Sequence, residues 1–122
     1  MACSVPEFVT VTKALSNPLA VRILKLLLRG EELCVCEIMD AVHVPQYTCS
    51  RSLGTMYAAN MVVRRRKGRW AYYTLHPQPS AVVRAALDMV GQQVSDAIFE
   101  QDEARLVDRL ALRVDGKCVA AY

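Results

Sequence analysis

Residues 33–75, LCVCEIMDAVHVPQYTCSRSLGTMYAANMVVRRRKGRWAYYTL, decide the fold. Val35, Ile38, Met39 and Val42 recur at helical spacing, so a helix is expected over 33–42, with Glu31 and Glu32 near its positive end. His43-Val44-Pro45 breaks it. A second helix, 46–59, sets Cys49, Leu53 and Met56 on one stripe and Tyr47, Ser50, Arg51 and Gly54 on the opposite one. Asn60 tolerates the left-handed conformation and can end it. Residues 61–75 then form two short strands around Lys67-Gly68, where glycine supplies the positive φ of the turn. Trp70, Tyr72 and Tyr73 give the returning strand its β-propensity. Two helices joined by a short turn and followed by a basic hairpin make a winged helix-turn-helix on pattern alone.

On the N-terminal side, Phe8, Val11 and Leu15 mark a short amphipathic helix. Asn17 caps the next one, Pro18 fits its first turn and Gly30 stops it, with Val21, Leu24, Leu27 and Leu28 on one side. On the C-terminal side, Pro77 and Pro79 punctuate a turn. Val83, Leu87, Val90, Val94 and Ile98 then predict a long helix over 80–109. Its stripe exceeds what a small core covers, which points to a dimerisation helix. The tail from Asp115 to Tyr122 is expected to be loose.

At 122 residues the chain suits a single domain spanning 1–122, and 53% hydrophobic with only 7% aromatic residues favours a mostly α protein with a small β-hairpin. Formal charge is +3, unevenly spread. Between Asp40 and Asp88 there is no acid, while Arg51, Arg64, Arg65, Arg66, Lys67, Arg69 and Arg84 all fall there. A local positive field of this kind suits a polyanion, and double-stranded DNA is the expected partner. Five cysteines at irregular spacing, after a start lacking a signal-peptide pattern, suggest a reducing cytoplasm rather than a disulfide framework. No apolar run approaches the ~20 residues of a membrane span. The sequence has no nucleophile–base pair and no phosphate-cradling glycine loop, and only two histidines, so an enzyme is not expected.

Four separated runs carry a family resemblance: Lys13-Ala14-Leu15-Ser16-Asn17-Pro18, Glu32-Leu33-Cys34-Val35-Cys36-Glu37, Ser50-Arg51-Ser52-Leu53 and Gly68-Arg69-Trp70-Ala71-Tyr72-Tyr73-Thr74-Leu75. In order and spacing they resemble the ArsR/SmtB family of metal-responsive repressors, over roughly residues 8 to 100. The resemblance implies a homodimer that binds operator DNA and releases it when a toxic metal or metalloid binds. Two positions depart from the family pattern. Ser52 stands where the family often has histidine, and Met39 stands where arsenic-sensing members often carry a third cysteine.

Cys34 and Cys36 are the candidate metal ligands, because thiolate sulfur suits trivalent arsenic or antimony as inducer, and cadmium or lead as alternatives. On a regular helix two side chains two residues apart diverge by about 200°. Ligand binding is therefore expected to unwind the first turn of the third helix and strain the turn leading to the recognition helix. Typical allosteric couplings of ~1–3 kcal/mol would suffice. Cys3 or Cys118 could supply a third ligand from a terminus; without one, two thiols would suit a methylated trivalent arsenical. Cys49, a further third-ligand candidate ranked behind Cys3 and Cys118, lies on the buried stripe and is expected to pack. A thiol redox switch in the same fold is the rival reading. Zinc sensing in the family commonly uses histidines on the last helix, and His43 and His76 lie elsewhere, leaving Asp88, Asp96 and Glu100 without imidazole partners.

For DNA, Arg51 and Gln46 suit direct readout of guanine and adenine from the early, outward positions of the recognition helix. Tyr47 and Ser50 suit phosphates. Arg64, Arg65, Arg66, Lys67 and Arg69 on the wing are expected to make salt-dependent backbone or minor-groove contacts.

Overall fold

The structure, a computed structural model, describes residues 3–119. Six helices and a small sheet follow in the order α1 (Val5–Ala14), α2 (Pro18–Leu27), β1 (Leu33–Cys34), α3 (Val35–Val42), α4 (Gln46–Ala58), β2 (Val62–Lys67), β3 (Trp70–Leu75), α5 (Ala81–Gln93) and α6 (Ala97–Leu110). Helices α3 and α4 with the β2–β3 hairpin form a winged helix-turn-helix. The cap signals act as the sequence indicates. The Asn17 side chain accepts the Ala20 N–H at 2.9 Å at the start of α2, and Ser4 caps α1 in the same way. Gly30, Asn60 and Gly68 all take positive φ, ending α2, ending α4 and turning the wing. His43 takes φ 56 at the C-cap of α3, which opens the turn into α4.

Ile23, Leu24 and Leu27 of α2, Ile38 of α3, Leu53 and Met56 of α4, and Met61 before the wing form the centre of the core, each fully buried. Cys49 lies in this same cluster, and its thiol reaches the Val44 carbonyl at 3.5 Å.

Three features differ from the sequence expectation. First, Leu33 and Cys34 are not helical. They form a two-residue strand that extends the wing into a three-stranded sheet of order β1-β3-β2, with Leu33 opposite Tyr73 and Cys34 opposite Tyr72. Cys34 is the extended N-cap of α3, at φ −88 and ψ 164.

Second, the long C-terminal helix is broken. Val94 is extended, and Asp96 restarts the helix by accepting the Ile98 N–H at 2.9 Å. Lys25 holds the corner, donating to the carbonyls of Val90, Gly91 and Val94 at 3.1–3.3 Å with its ammonium 5.2 Å from the Phe99 ring centre. Charge at the C-terminal end of α5 complements the helix dipole. Helix α6 then packs on α2 and α3 of its own chain and buries Leu106 completely. Its polar ties are dense. Arg22 forks onto the buried Asp102, Arg105 reaches Asp102 and the Ala41 carbonyl, and Arg109 binds Asp40 at 2.7 Å.

Third, the tail is packed as far as it is described. Val114 and Lys117 pair across a tight turn whose Asp115 and Gly116 take positive φ, and Cys118 is buried. The expectation for residues 120–122 lies outside the described residues.

Candidate thiol site and nucleic-acid interface

A second, smaller cluster sits where the tail meets the sheet. It consists of the buried Cys34, Tyr72 and Cys118, with Cys36 and Trp70 packed against them. The sulfurs of Cys34 and Cys118 and a carboxylate oxygen of Glu37 all lie within 4.8 Å of one another. Cys36, in the first turn of α3, is partly exposed at the rim. Because Cys34 precedes the helix and Cys36 lies within it, the divergence argued for a regular helix does not apply. The Cys36 sulfur is not part of that 4.8 Å group, so gathering all three sulfurs on one ion still requires movement at the start of α3.

Burial pushes the Cys34 thiol well above its ordinary value. The neighbouring Cys118 thiol adds to the rise, and the Glu37 backbone N–H opposes it. The Cys36 thiol is also raised, by burial first, and the Arg109 guanidinium works against that rise. Glu37 is a poor metal ligand despite its position. Its carboxylate is held by Arg113 at 2.6 and 2.7 Å and accepts the Cys34 N–H at 3.1 Å, the reciprocal half of a capping box. Arg109 is 4% exposed, lies 3.7 Å from the Cys118 sulfur and has one buried amino group without a hydrogen-bond partner. Cys118 in turn donates its backbone N–H to the Tyr72 hydroxyl at 2.9 Å.

Of the sequence candidates, Cys34, Cys36 and Cys118 therefore gather, while Cys49 sits in the main core and Cys3 lies ahead of α1 outside this cluster. Burial pushes the Cys49 thiol up to about 11, with Arg22 opposing. Sequence reasoning missed Tyr72, Arg109 and Arg113. The run Arg105, Arg109, Arg113 at intervals of four, along α6 and just past its end, was the available signal that this side of the chain meets acids elsewhere.

Gln46, Tyr47 and Arg51 are exposed at the start of α4, and Ser50 is half-buried beside them. Arg51 lies 5.7 Å from the Tyr47 ring centre. On the wing, Arg64 lies over Tyr57 at 4.2 Å and Arg69 over Trp70 at 5.6 Å, so rings steer two of the guanidiniums. Arg66 and Lys67 are exposed. Arg65 differs. Its guanidinium forks onto Glu32, so an acid from outside the basic stretch opposes a charge that the sequence left unopposed.

A family model described as "Bacterial regulatory protein, arsR family" matches residues 17–63. The arsenic resistance transcriptional regulator ArsR1 of Pseudomonas putida is 40% identical over 77 residues, 63% of this chain and 60% of that protein's length. ArsR2 of the same organism is 37% identical over 67% of this chain and 71% of its own length. Among solved structures, reduced HlyU from Vibrio cholerae superposes with a TM-score of 0.63 at 25% identity, covering 75% of this chain and 92% of HlyU.

Proposed function

The chain belongs to the arsR family of bacterial regulatory proteins, DNA-binding transcription repressors of winged helix-turn-helix fold, and from that premise we propose that it is released from operator DNA by trivalent arsenic or antimony. The observation that carries this reading is that the buried Cys34 and Cys118 sulfurs lie within 4.8 Å of each other, with the partly exposed Cys36 packed against them. The tail thiol takes the place of the family cysteine that Met39 lacks. The arsenic-resistance names of the P. putida relatives support the same inducer class.

The chemistry suits the surroundings. Trivalent arsenic hydroxide condenses with three thiols, each sulfur replacing a hydroxide that leaves with the thiol proton as water. Oxidation state and charge are unchanged, so protonated, buried thiols are competent partners. Cadmium or lead requires thiolates and leaves net negative charge in a buried site already balanced by Arg109 with Asp40 and Arg113 with Glu37. That favours metalloid over these divalent ions.

Binding would draw the tail, β1 and the start of α3 together. Cys34 is hydrogen-bonded into the wing sheet and caps the helix leading to α4, so both DNA-facing elements share a backbone with the site. In the bound state Gln46 and Arg51 read bases, Tyr47 and Ser50 hold phosphates, and Arg64, Arg65, Arg66, Lys67 and Arg69 contact the backbone or minor groove. A homodimer is supported by apolar surface left open on α1 and α5, where Phe8 is 53% and Met89 56% exposed. A Cys34–Cys118 disulfide switch is the second reading, favoured by the proximity of the sulfurs.

The test is fluorescence anisotropy of reduced protein on its upstream DNA, titrated in parallel with arsenite, antimonite, methylarsenite, cadmium, zinc and peroxide. Release by a trivalent metalloid at near-stoichiometric amounts supports the reading. Release by peroxide alone in metal-free protein supports the redox switch instead.

A further inference from the structure

We propose that Tyr72 is the positioning residue of the thiol site, delivering the tail thiol of Cys118 as third ligand while leaving Cys34 and Cys36 competent without it. The proposal rests on the metalloid reading above and deepens it. Tyr72 is 3% exposed. Its hydroxyl accepts the Cys118 N–H at 2.9 Å, so a side chain of the wing fixes the backbone that carries the sulfur. That bond ties the sheet to the backbone of Cys118, while the Cys34 sulfur of β1 lies within 4.8 Å of the Cys118 sulfur and Arg109 reaches it at 3.7 Å.

Tyr72 is itself held firmly. On β3 it stands directly opposite Cys34 of β1 and directly opposite Arg65 of β2, so Cys34, Tyr72 and Arg65 form one row across the sheet. Residues directly opposite in a pleated sheet share a face. The Arg65 and Arg113 guanidiniums lie 5.7 and 5.9 Å from the Tyr72 ring centre. Both arginines are anchored on Glu32, Arg65 through the carboxylate and Arg113 through the backbone carbonyl. The phenol is thus fixed by the loop that precedes Cys34, by the wing and by the tail together. A residue with this role belongs to the ligand site without touching the metalloid.

Ligand valence separates delivery of the third thiol from general folding. Arsenite exchanges three positions and needs Cys118, whereas phenylarsine oxide exchanges two and is satisfied by Cys34 and Cys36. The full chain, reduced, is titrated with each probe in four forms: native, Tyr72→Phe, Cys118→Ser and the double variant. Loss of a buried hydrogen bond is expected to weaken arsenite binding by about tenfold in Tyr72→Phe and to leave phenylarsine oxide unchanged. In the double variant the Tyr72→Phe change is expected to add nothing to the loss caused by Cys118→Ser, because the tyrosine acts through that thiol. Equal weakening of both probes, unchanged arsenite binding in Tyr72→Phe, or additive losses would overturn the proposal and leave the metalloid reading intact. Failure of both probes to bind the native protein would overturn that reading and this proposal with it.

Discussion

The Arg113 guanidinium grips the Glu37 carboxylate through two hydrogen bonds of 2.6 and 2.7 Å, and Glu37 has no exposed surface. The same carboxylate accepts the N–H of Cys34, so the segment after α6 is tied directly to the cap of the first helix of the DNA-binding pair. Arg113→Met strands a buried charge, for which a loss of about 3–5 kcal/mol is expected in urea unfolding. Glu103→Ala, which removes an exposed partner of Arg29, should cost under about 1 kcal/mol. Equal costs would mean that Glu37 is far better solvated than its burial indicates.

Arg65 and Arg66 are neighbours on β2 and both exposed, but the Arg65 guanidinium forks onto the Glu32 carboxylate. Arg66→Ala is expected to reduce the salt dependence of operator binding by about one unit of slope, and Arg65→Ala by clearly less. Arg51→Ala should instead cost about 1–3 kcal/mol on operator DNA with loss of discrimination between sequences. Binding measured across a salt series on operator and scrambled DNA separates the three.

Burial raises the Cys49 thiol from an ordinary 9.0 to about 11. A thiol whose folded value lies above its unfolded one contributes stability below the unfolded value and loses it as pH rises towards the folded one. Stability should therefore fall between pH 9.0 and about 11, and Cys49→Ala should flatten that fall while leaving a small cavity cost at neutral pH. Urea midpoints across this range check it; an unchanged slope in the variant would rule out Cys49 as the source.

Lys25→Met removes the charge that caps three carbonyls at the α5–α6 corner. Faster amide exchange at 90–96 is expected, with the wing unaffected. Exchange rising equally in both places would show that the corner is not a local unit.

Much of the helix-turn-helix was legible because its signals are local. Asn17, Pro18, Gly30, Asn60 and Gly68 act through their own side chains or φ angles. Strand β1 was not, because a two-residue strand has no periodicity and takes its hydrogen bonds from residues near 72. The break at Val94 carried a signal in Ser95-Asp96, but the apolar spacing runs through it, and the capping lysine lies about seventy residues earlier. Cys34 and Cys36 could be singled out by spacing. Cys118 meets Tyr72 of β3 and Arg109 of α6, two elements far apart in the chain, a convergence that no local pattern encodes.

Metalloid held by these thiols is proposed to break the DNA complex. This release is tested most directly by arsenite titration of the operator-bound, reduced protein in native, Cys34→Ser, Cys36→Ser, Cys118→Ser and Cys49→Ala forms, followed by anisotropy. Native and Cys49→Ala proteins should release DNA near stoichiometry, Cys34→Ser and Cys36→Ser should stay bound, and Cys118→Ser should need substantially more arsenite. Release from Cys34→Ser or Cys36→Ser at the native arsenite concentration would contradict the assignment of the site.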